Sequence, residues 1–343
     1  MPLESPCFQA RCIRALRMLS MTLLLSGHCG ALWAADYLEQ VEVQQFITEL
    51  VEHHDFSRPE LEALFSQVQR QQRVIDLISK PAEKRLEWFE YRRIFLDQER
   101  IRQGVQFWRA HAAELARAES QFGVEPPMVV AIIGIETRYG RNTGTTPVLD
   151  ALTTLAFDYP PRSKFFRQEL LNYLLLAREE GKDPRSIKGS YAGAMGYGQF
   201  MPSSYRNYAV DFDGDGKRDI WNNRSDAIGS VASYFNRHGW QHNAPVVMTA
   251  LPSAENPALA LNDTKKPTLS VAQLAAQGVR ARQWVEPERK AVALRLLGDA
   301  GPEYWLAFDN FYVITRYNQS QLYAMAAHQL SEAIRQHYIA GAD

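Results

Sequence analysis

Residues 129–140, VVAIIGIETRYG, place a single glutamate, Glu136, at the end of an unbroken apolar run. On a helix the positions three, four and seven before it are Ile133, Ile132 and Val129, so its carboxyl shares a face with three aliphatic side chains. The last turn of a helix also carries partial negative charge. Desolvation and dipole push the same way, toward a carboxyl that stays protonated near neutral pH, the state a general acid needs to cleave a glycosidic bond. Arg138 and Arg141 offer the alternative of a helix-end ion pair, although two positions apart is a poor pairing geometry on a helix. The next carboxylates, Asp150 and Asp158, each stand beyond a helix break, so no obvious close carboxylate pair accompanies Glu136. One acid alone suggests chemistry other than ordinary two-carboxylate hydrolysis.

Two further stretches could bind. GSYAGAMGYGQFMPSSY, residues 189–205, mixes Gly189, Gly193, Gly196 and Gly198 with Ser190, Gln199 and several tyrosines. Missing side chains let a ligand approach the backbone, and the aromatic faces suit sugar rings; a tight connection between helices is the plainer reading. The glycine spacing and the ending are wrong for a phosphate loop. DFDGDGKRDIWN, residues 211–222, sets Asp211, Asp213 and Asp215 at positions 1, 3 and 5 of an EF-hand loop, with Gly216 at 6, the carbonyl of Lys217 at 7 and Asp219 at 9. Hard oxygen ligands in that order suit calcium. Asn222 at position 12 cannot supply the usual bidentate carboxylate, and an Asp-Gly turn carrying solvated charges is the alternative.

The elements that must position these residues are mostly helical. VEVQQFITELVEHH, PELEALFSQVQRQQRVIDLI behind Ser57, and EKRLEWFEYRRIFLDQERIRQGVQFWRAHAAELARAESQFG repeat apolar residues at three and four positions. EPPMVVAIIGIETRYG has prolines suited to a first turn and Gly140 suited to a helix end. TPVLDALTTLAFDYP and SKFFRQELLNYLLLAREEG follow the same formula, the latter with Ser163 as cap and Gly181 as stop. From about 245 to 315 the pattern weakens, and KAVALRLLG and FYVITRY resemble short strands of a small β-containing subdomain. SQLYAMAAHQLSEAIRQHY returns to a helix. The chain of 343 residues, 46% hydrophobic, can bury a large core and is expected to be mainly α (α+β), without visible repeats.

The first 35 residues have Arg11, Arg14 and Arg17, then an apolar LSMTLLLSG, then small residues at Ala31, Ala34 and Ala35, the order of a secretory signal. All three cysteines, Cys7, Cys12 and Cys29, lie in this leader, so a processed chain would need neither disulfides nor a thiolate metal site. Cys29 follows His28 in SGHC, which does not fit a lipobox and speaks against a lipid anchor. Removing residues 1–35 takes away three Arg and one Glu, leaving 35 basic against 38 acidic residues and a net charge of −3, which argues against a nucleic-acid partner.

GIETRYG, GSYAGAMGYGQFMPSSY, the acidic loop and VITRYNQSQLYAMA, in that order, together resemble the lytic murein transglycosylase B family of Gram-negative bacteria, from about residue 40 to the C-terminus. The resemblance implies a lysozyme-like core at 121–244, containing an EF-hand-like loop at 211–226, a helical domain at 36–120 completed by 320–343, and the small β-containing subdomain at 245–315. It implies nonhydrolytic cleavage of the β-1,4 bond between N-acetylmuramic acid and N-acetylglucosamine, with Glu136 as acid and then base. It carries saccharide contacts to Tyr91, Arg162, Ser190, Gln199, Tyr234, Tyr317, Asn318 and Tyr323, and closes the calcium loop with Asp226. Asn318 could instead cap the final helix, and the tyrosines could be packing. Glycan strands of periplasmic peptidoglycan are the implied partner, with cell-wall synthases as a further class. The readings kept beside it are a muramidase of the same fold that admits water, and a catalytically silent peptidoglycan-binding protein.

Overall fold

A computed structural model describes residues 37–80, 86–253, 261–263 and 265–341. The expected leader and its cysteines lie outside the described residues. Helices come first: α1 (Val41–His54), α2 (Arg58–Phe65), α3 (Gln72–Ser79), α4 (Trp88–Phe95), α5 (Gln98–Ala110) and α6 (Ala112–Phe122). The long periodic stretches are therefore broken, and local hydrogen bonds say why. Between α2 and α3 the amides of Gln69 and Gln71 donate to Asp150 Oδ1 (3.2 Å) and Thr154 Oγ1 (3.0 Å), where a continuous helix would need its own carbonyls. Before α5, Asp97 accepts from Arg100 N at 2.9 Å as an N-cap.

The central helix α7 (Pro126–Thr137) opens on two prolines, whose missing N–H groups cost nothing in a first turn, and is buried from Pro126 to Gly134. A helix that is apolar all round belongs inside. It is enclosed by α5, α6, α11 (Arg224–Arg237) and α14 (Gln321–Ile339). Around it stand α8 (Val148–Phe157), α9 (Ser163–Glu179) and α10 (Pro202–Tyr208), with a two-residue pairing of β1 (Thr146–Pro147) and β2 (Lys188–Gly189). Ser163, expected as a cap, is the first residue of α9, and its hydroxyl donates to Ala156 O at 2.6 Å.

A five-stranded antiparallel sheet follows, in the order β4-β6-β7-β3-β5. Its strands are β3 (Val247–Pro252), β4 (Leu269–Ser270), β5 (Val279–Ala281), β6 (Lys290–Gly298) and β7 (Gly301–Ala307), with α12 (Val271–Ala276) between β4 and β5. β6 is KAVALRLLG, as expected. FYVITRY is not a strand: it lies in α13 (Asp309–Tyr317). Its β-branched residues mislead because Val313, Ile314 and Thr315 are all buried in succession, which the alternation of a half-exposed strand forbids. The strand before it is GPEYWLA.

α14 starts behind Ser320, whose Oγ accepts from Tyr323 N at 3.3 Å. Asn318 is not that cap; its Oδ1 accepts from Ser320 N at 3.1 Å, and it closes α13. α14 also carries His328, whose imidazole burial pushes down to about 4 against the opposing pull of Glu332, while Arg335 adds to the depression. The folded state therefore holds this ring neutral while the unfolded chain protonates it near 6.5. Stability is intact above that value and falls as pH drops toward 4. His328 is half-buried, so we expect a loss of about 2 kcal/mol over that window. Thermal midpoints of the wild type and His328→Gln between pH 7 and 4 check this: the variant should fall less steeply, and parallel curves would contradict it.

Candidate active site

The helix bearing Glu136 ends abruptly. Thr137 is its last residue, Arg138 and Tyr139 take left-handed φ of 52° and 61°, and Gly140 follows at 87°. Two non-glycine residues in that region need support from around them. Arg138 holds Asp97 at 3.1 Å; the ion-pair partner suggested by its spacing is thus met by another acid. Tyr139 donates to Arg100 O at 2.8 Å. Thr137 Oγ1 donates to Tyr197 O at 2.9 Å and accepts from Gly140 N at 3.0 Å, tying the helix end to the glycine strip. Glu136 is thereby fixed in a half-buried position.

Its carboxyl meets α14. Tyr323, 187 residues away in the chain and 3% exposed, donates its hydroxyl to Glu136 Oε1 at 2.5 Å. Burial first, and then the Glu136 charge, push the phenols of Tyr323 and Tyr317 well above their ordinary range. Both therefore remain donors at every pH the protein would meet.

The glycine strip folds back on itself through paired bonds between Met195 and Phe200, each 2.9 Å, with Gln199 at the turn in a left-handed conformation, φ 50°. Gln199 Nε2 donates to Thr143 O (3.1 Å) and Gly196 O (3.0 Å), and Ser190 Oγ accepts from Ala194 N (3.0 Å). Gly198 is required by its neighbour: Tyr317 donates to its carbonyl at 2.5 Å, and a Cβ there would stand 2.8 Å from the phenol oxygen.

Together these elements enclose a cleft of about 530 Å³. Of the residues singled out in the sequence, Glu136, Ser190, Gln199, Tyr317 and Asn318 line it. Tyr91, 1% exposed beside Phe95, and Tyr234, 7% exposed with its hydroxyl on Arg316 O at 2.6 Å, support the walls instead. Tyr234 does so through its ring, 4.7 Å from that of Tyr317. Arg162 does not line the cleft; it is exposed beside α9, with its guanidinium 4.2 Å over the Phe165 ring. The sequence reading missed Leu77, Lys80 and Tyr191, which also line the cleft. Tyr191 was visible within the strip, whereas no pattern marked the end of α3 as part of a site.

A family model described as "Transglycosylase SLT domain" matches residues 39–332. The chain belongs to this lytic transglycosylase family. It is 44% identical over 321 residues to the membrane-bound lytic murein transglycosylase B of Escherichia coli K12, covering 91% of this chain and 88% of that one. The catenated lytic transglycosylase SltB1 of Pseudomonas aeruginosa superposes with a TM-score of 0.85 at 51% identity, over 88% of this chain and 100% of that one. The Escherichia coli lytic transglycosylase Slt35, solved in complex with calcium, does so with a TM-score of 0.82 at 44% identity, over 89% and 96%. The lysozyme-like fold expected from the motifs and the activity of cleaving peptidoglycan follow from this membership.

In this transglycosylase the acidic loop draws carboxylate oxygens of Asp211, Asp213 and Asp226 within 4.8 Å of one another. Asp226, fully buried, accepts from Phe212 N (2.7 Å) and Asp219 N (2.8 Å). Asp211 accepts from the amides of Gly214, Asp215 and Gly216, so the loop wraps around it. The rest of the expected ligand set is not in this converging group: Asp215 accepts from Lys217 N (2.9 Å) and Asp219 from the amides of Trp221 and Asn222 (3.0 Å each). Three hard, anionic oxygens at this spacing fit calcium chemistry.

Proposed function

We propose that Glu136 is the single acid–base of a nonhydrolytic cleavage of the glycan strand. Protonated Glu136 gives its proton to the glycosidic oxygen between N-acetylmuramic acid and N-acetylglucosamine; the C1–O bond breaks and the acetylglucosamine leaves as an alcohol. The muramic C1 becomes oxocarbenium-like, and the substrate's own N-acetyl oxygen or nearby dipoles stabilise it. The Glu136 carboxylate then takes the proton of the muramic C6 hydroxyl while that oxygen bonds to C1. The 1,6-anhydro ring closes and Glu136 is protonated again, with no water consumed.

The observation that carries this reading is the Tyr323 hydrogen bond to Glu136 in a cleft whose described lining holds no second carboxyl group. A phenol that cannot ionise fixes the carboxyl rotamer and eases its anionic form between the two steps. Ser190, Gln199, Tyr317 and Asn318 hold the sugars, and Tyr91, Tyr234 and Tyr323 keep the walls in register. Arg162, outside the cleft, contacts a more distant part of the strand. The test is mass spectrometry of fragments released from purified sacculi by the full-length protein. Anhydromuramyl ends, lighter by one water, support the proposal, and reducing muramic ends would replace it with a muramidase. Tyr323→Phe should lower kcat about tenfold with little change in KM, since it removes an orienting bond and no substrate contact. Unchanged kcat would take Tyr323 out of the mechanism.

Several finer points belong to the same proposal. Asp211, Asp213 and Asp226 hold calcium in a structural role, with Asp215, Asp219 and the Lys217 carbonyl completing the shell when the ion binds. Residues 1–35 direct export to the periplasm, where glycan strands are the substrate and cell-wall synthases are candidate partners. Residues 121–244 form the catalytic core, 36–120 with 320–343 the helical domain and 245–315 the β-containing subdomain. Among the described residues no helix is long and apolar enough to cross a membrane.

A further inference from the structure

The turn that follows Glu136 is built around one ring. Tyr139 takes a left-handed φ of 61°, and its side chain turns back against the helix the chain has just left: a Cβ built on Gly134 of α7 would lie 2.6 Å from the phenol oxygen and 2.7 and 2.8 Å from Cζ and Cε1. The facing wall is α5, where a Cβ on Gly104 would lie 2.6 Å from the same oxygen. Phe107, 8% exposed, packs on the ring with centroids 5.7 Å apart, and the hydroxyl donates to Arg100 O at 2.8 Å. Two glycines on two helices thus leave a slot that one phenol fills, and in a close-packed interior a methyl on either would move it.

A strained tyrosine is more than a helix stop requires. Gly140 stands one position later at φ 87°, and glycine at 139 would turn the chain without strain. A bulky residue keeps such a φ only where its surroundings over-determine it. Here the Tyr139 amide donates to Ile133 O (3.3 Å) and the Arg138 amide to Gly134 O (3.1 Å), while the Arg138 guanidinium reaches Asp97, the N-cap of α5. The slot also meets α14, since the Cβ on Gly104 would lie 2.6 Å from Cδ1 of Ile334, which is fully buried. One contact point therefore sets the spacing of α5, of the helix that bears Glu136 and of the helix whose Tyr323 is bonded to that carboxyl.

We infer that Tyr139 is a positioning residue for the acid–base: seated between Gly104 and Gly134, it locks the last turn of α7 so that the Glu136 carboxyl meets Tyr323. Tyr139 does not line the cleft, so its effect reaches the substrate only through Glu136. The inference rests on the acid–base reading of Glu136 and adds the device that aims it.

The experiment measures kcat and KM of the full-length protein on soluble glycan strands, at a temperature well below the thermal midpoint of every variant. Tyr139→Phe keeps the ring and removes the bond to α5; it should lower kcat about fivefold and leave KM within about twofold. Combined with Tyr323→Phe it should fall little below Tyr323→Phe alone, because both act through one carboxyl, whereas a merely structural role would multiply the two losses. Gly104→Ala should lower kcat about thirtyfold by displacing the phenol, and adding Tyr139→Phe, which withdraws the oxygen the new methyl meets, should recover part of that loss. Unchanged kcat in Tyr139→Phe, or losses that multiply with Tyr323→Phe, overturns the inference while leaving strand cleavage intact. If the wild type forms no anhydromuramyl ends, the underlying reading fails instead, and the inference with it.

Discussion

Glu136→Gln should lower kcat on sacculi by about three orders of magnitude, the loss expected when a general acid is removed from a site with no second carboxyl group among its described lining residues, and leave the fold in place. The amide is nearly isosteric, and its oxygen can still accept from Tyr323, now 2.5 Å from Glu136 Oε1, so the contact between α7 and α14 survives. What is lost is the proton for the leaving oxygen and the base for the C6 hydroxyl, both of which the mechanism assigns to one group. KM should move little, since the proposal leaves sugar binding to Ser190, Gln199, Tyr317 and Asn318, which line the cleft. Release of soluble fragments, followed by chromatography and mass spectrometry, measures this, with the thermal midpoint as the control for folding. Turnover equal to wild type would end the single-acid reading and favour the peptidoglycan-binding alternative. The double variant with Tyr323→Phe should be no worse than Glu136→Gln alone, because the phenol acts only through the carboxyl.

How much of this was legible beforehand depended on whether the structural cause was local. Glu136 could be read from its own heptapeptide, because an acid closing an apolar helix is a conflict visible without any tertiary knowledge. The glycine strip was equally visible, yet the reason for Gly198 was not: the Tyr317 hydroxyl that forbids a side chain there comes from α13. FYVITRY was misread because β-branched residues state a preference that burial on three successive positions overrides. The single helix expected across residues 59–78 failed for a similar reason, since Asp150 and Thr154, some eighty positions on, capture the amides that would have continued it. That same capture carries Leu77 and Lys80 to the cleft, which explains why no motif pointed to them. Tyr91 and Tyr234 were reached only through the family resemblance, and the structure gives them a supporting place behind the cleft wall.

The acidic loop carries the second large effect. Asp226→Ala should destabilise the protein by about 3 kcal/mol even without metal, because Asp226 is fully buried and accepts from Phe212 N and Asp219 N, two amides that would be left without partners. Burial raises the affinity of that carboxyl for its proton, and the two amides oppose the rise, offsetting part of the cost of burying the carboxyl. Calcium would bring two positive charges among Asp211, Asp213 and Asp226 and offset most of their mutual repulsion. The wild type should therefore gain several degrees of thermal midpoint on addition of millimolar calcium, and Asp226→Ala should start lower and gain almost nothing. Asp211→Ala separates the two contributions, since Asp211 is only half-buried and binds the loop's own amides: it should lose the calcium response with a smaller loss of metal-free stability. Activity should follow the calcium response, for Tyr197 N is bonded to Ile220 O at 3.0 Å and the loop thereby meets the strip that carries Ser190 and Gln199. A wild type whose midpoint ignores calcium, or an Asp226→Ala variant that still responds to it in full, would remove the ion from this loop and leave Asp226 as a buried cap for two backbone amides.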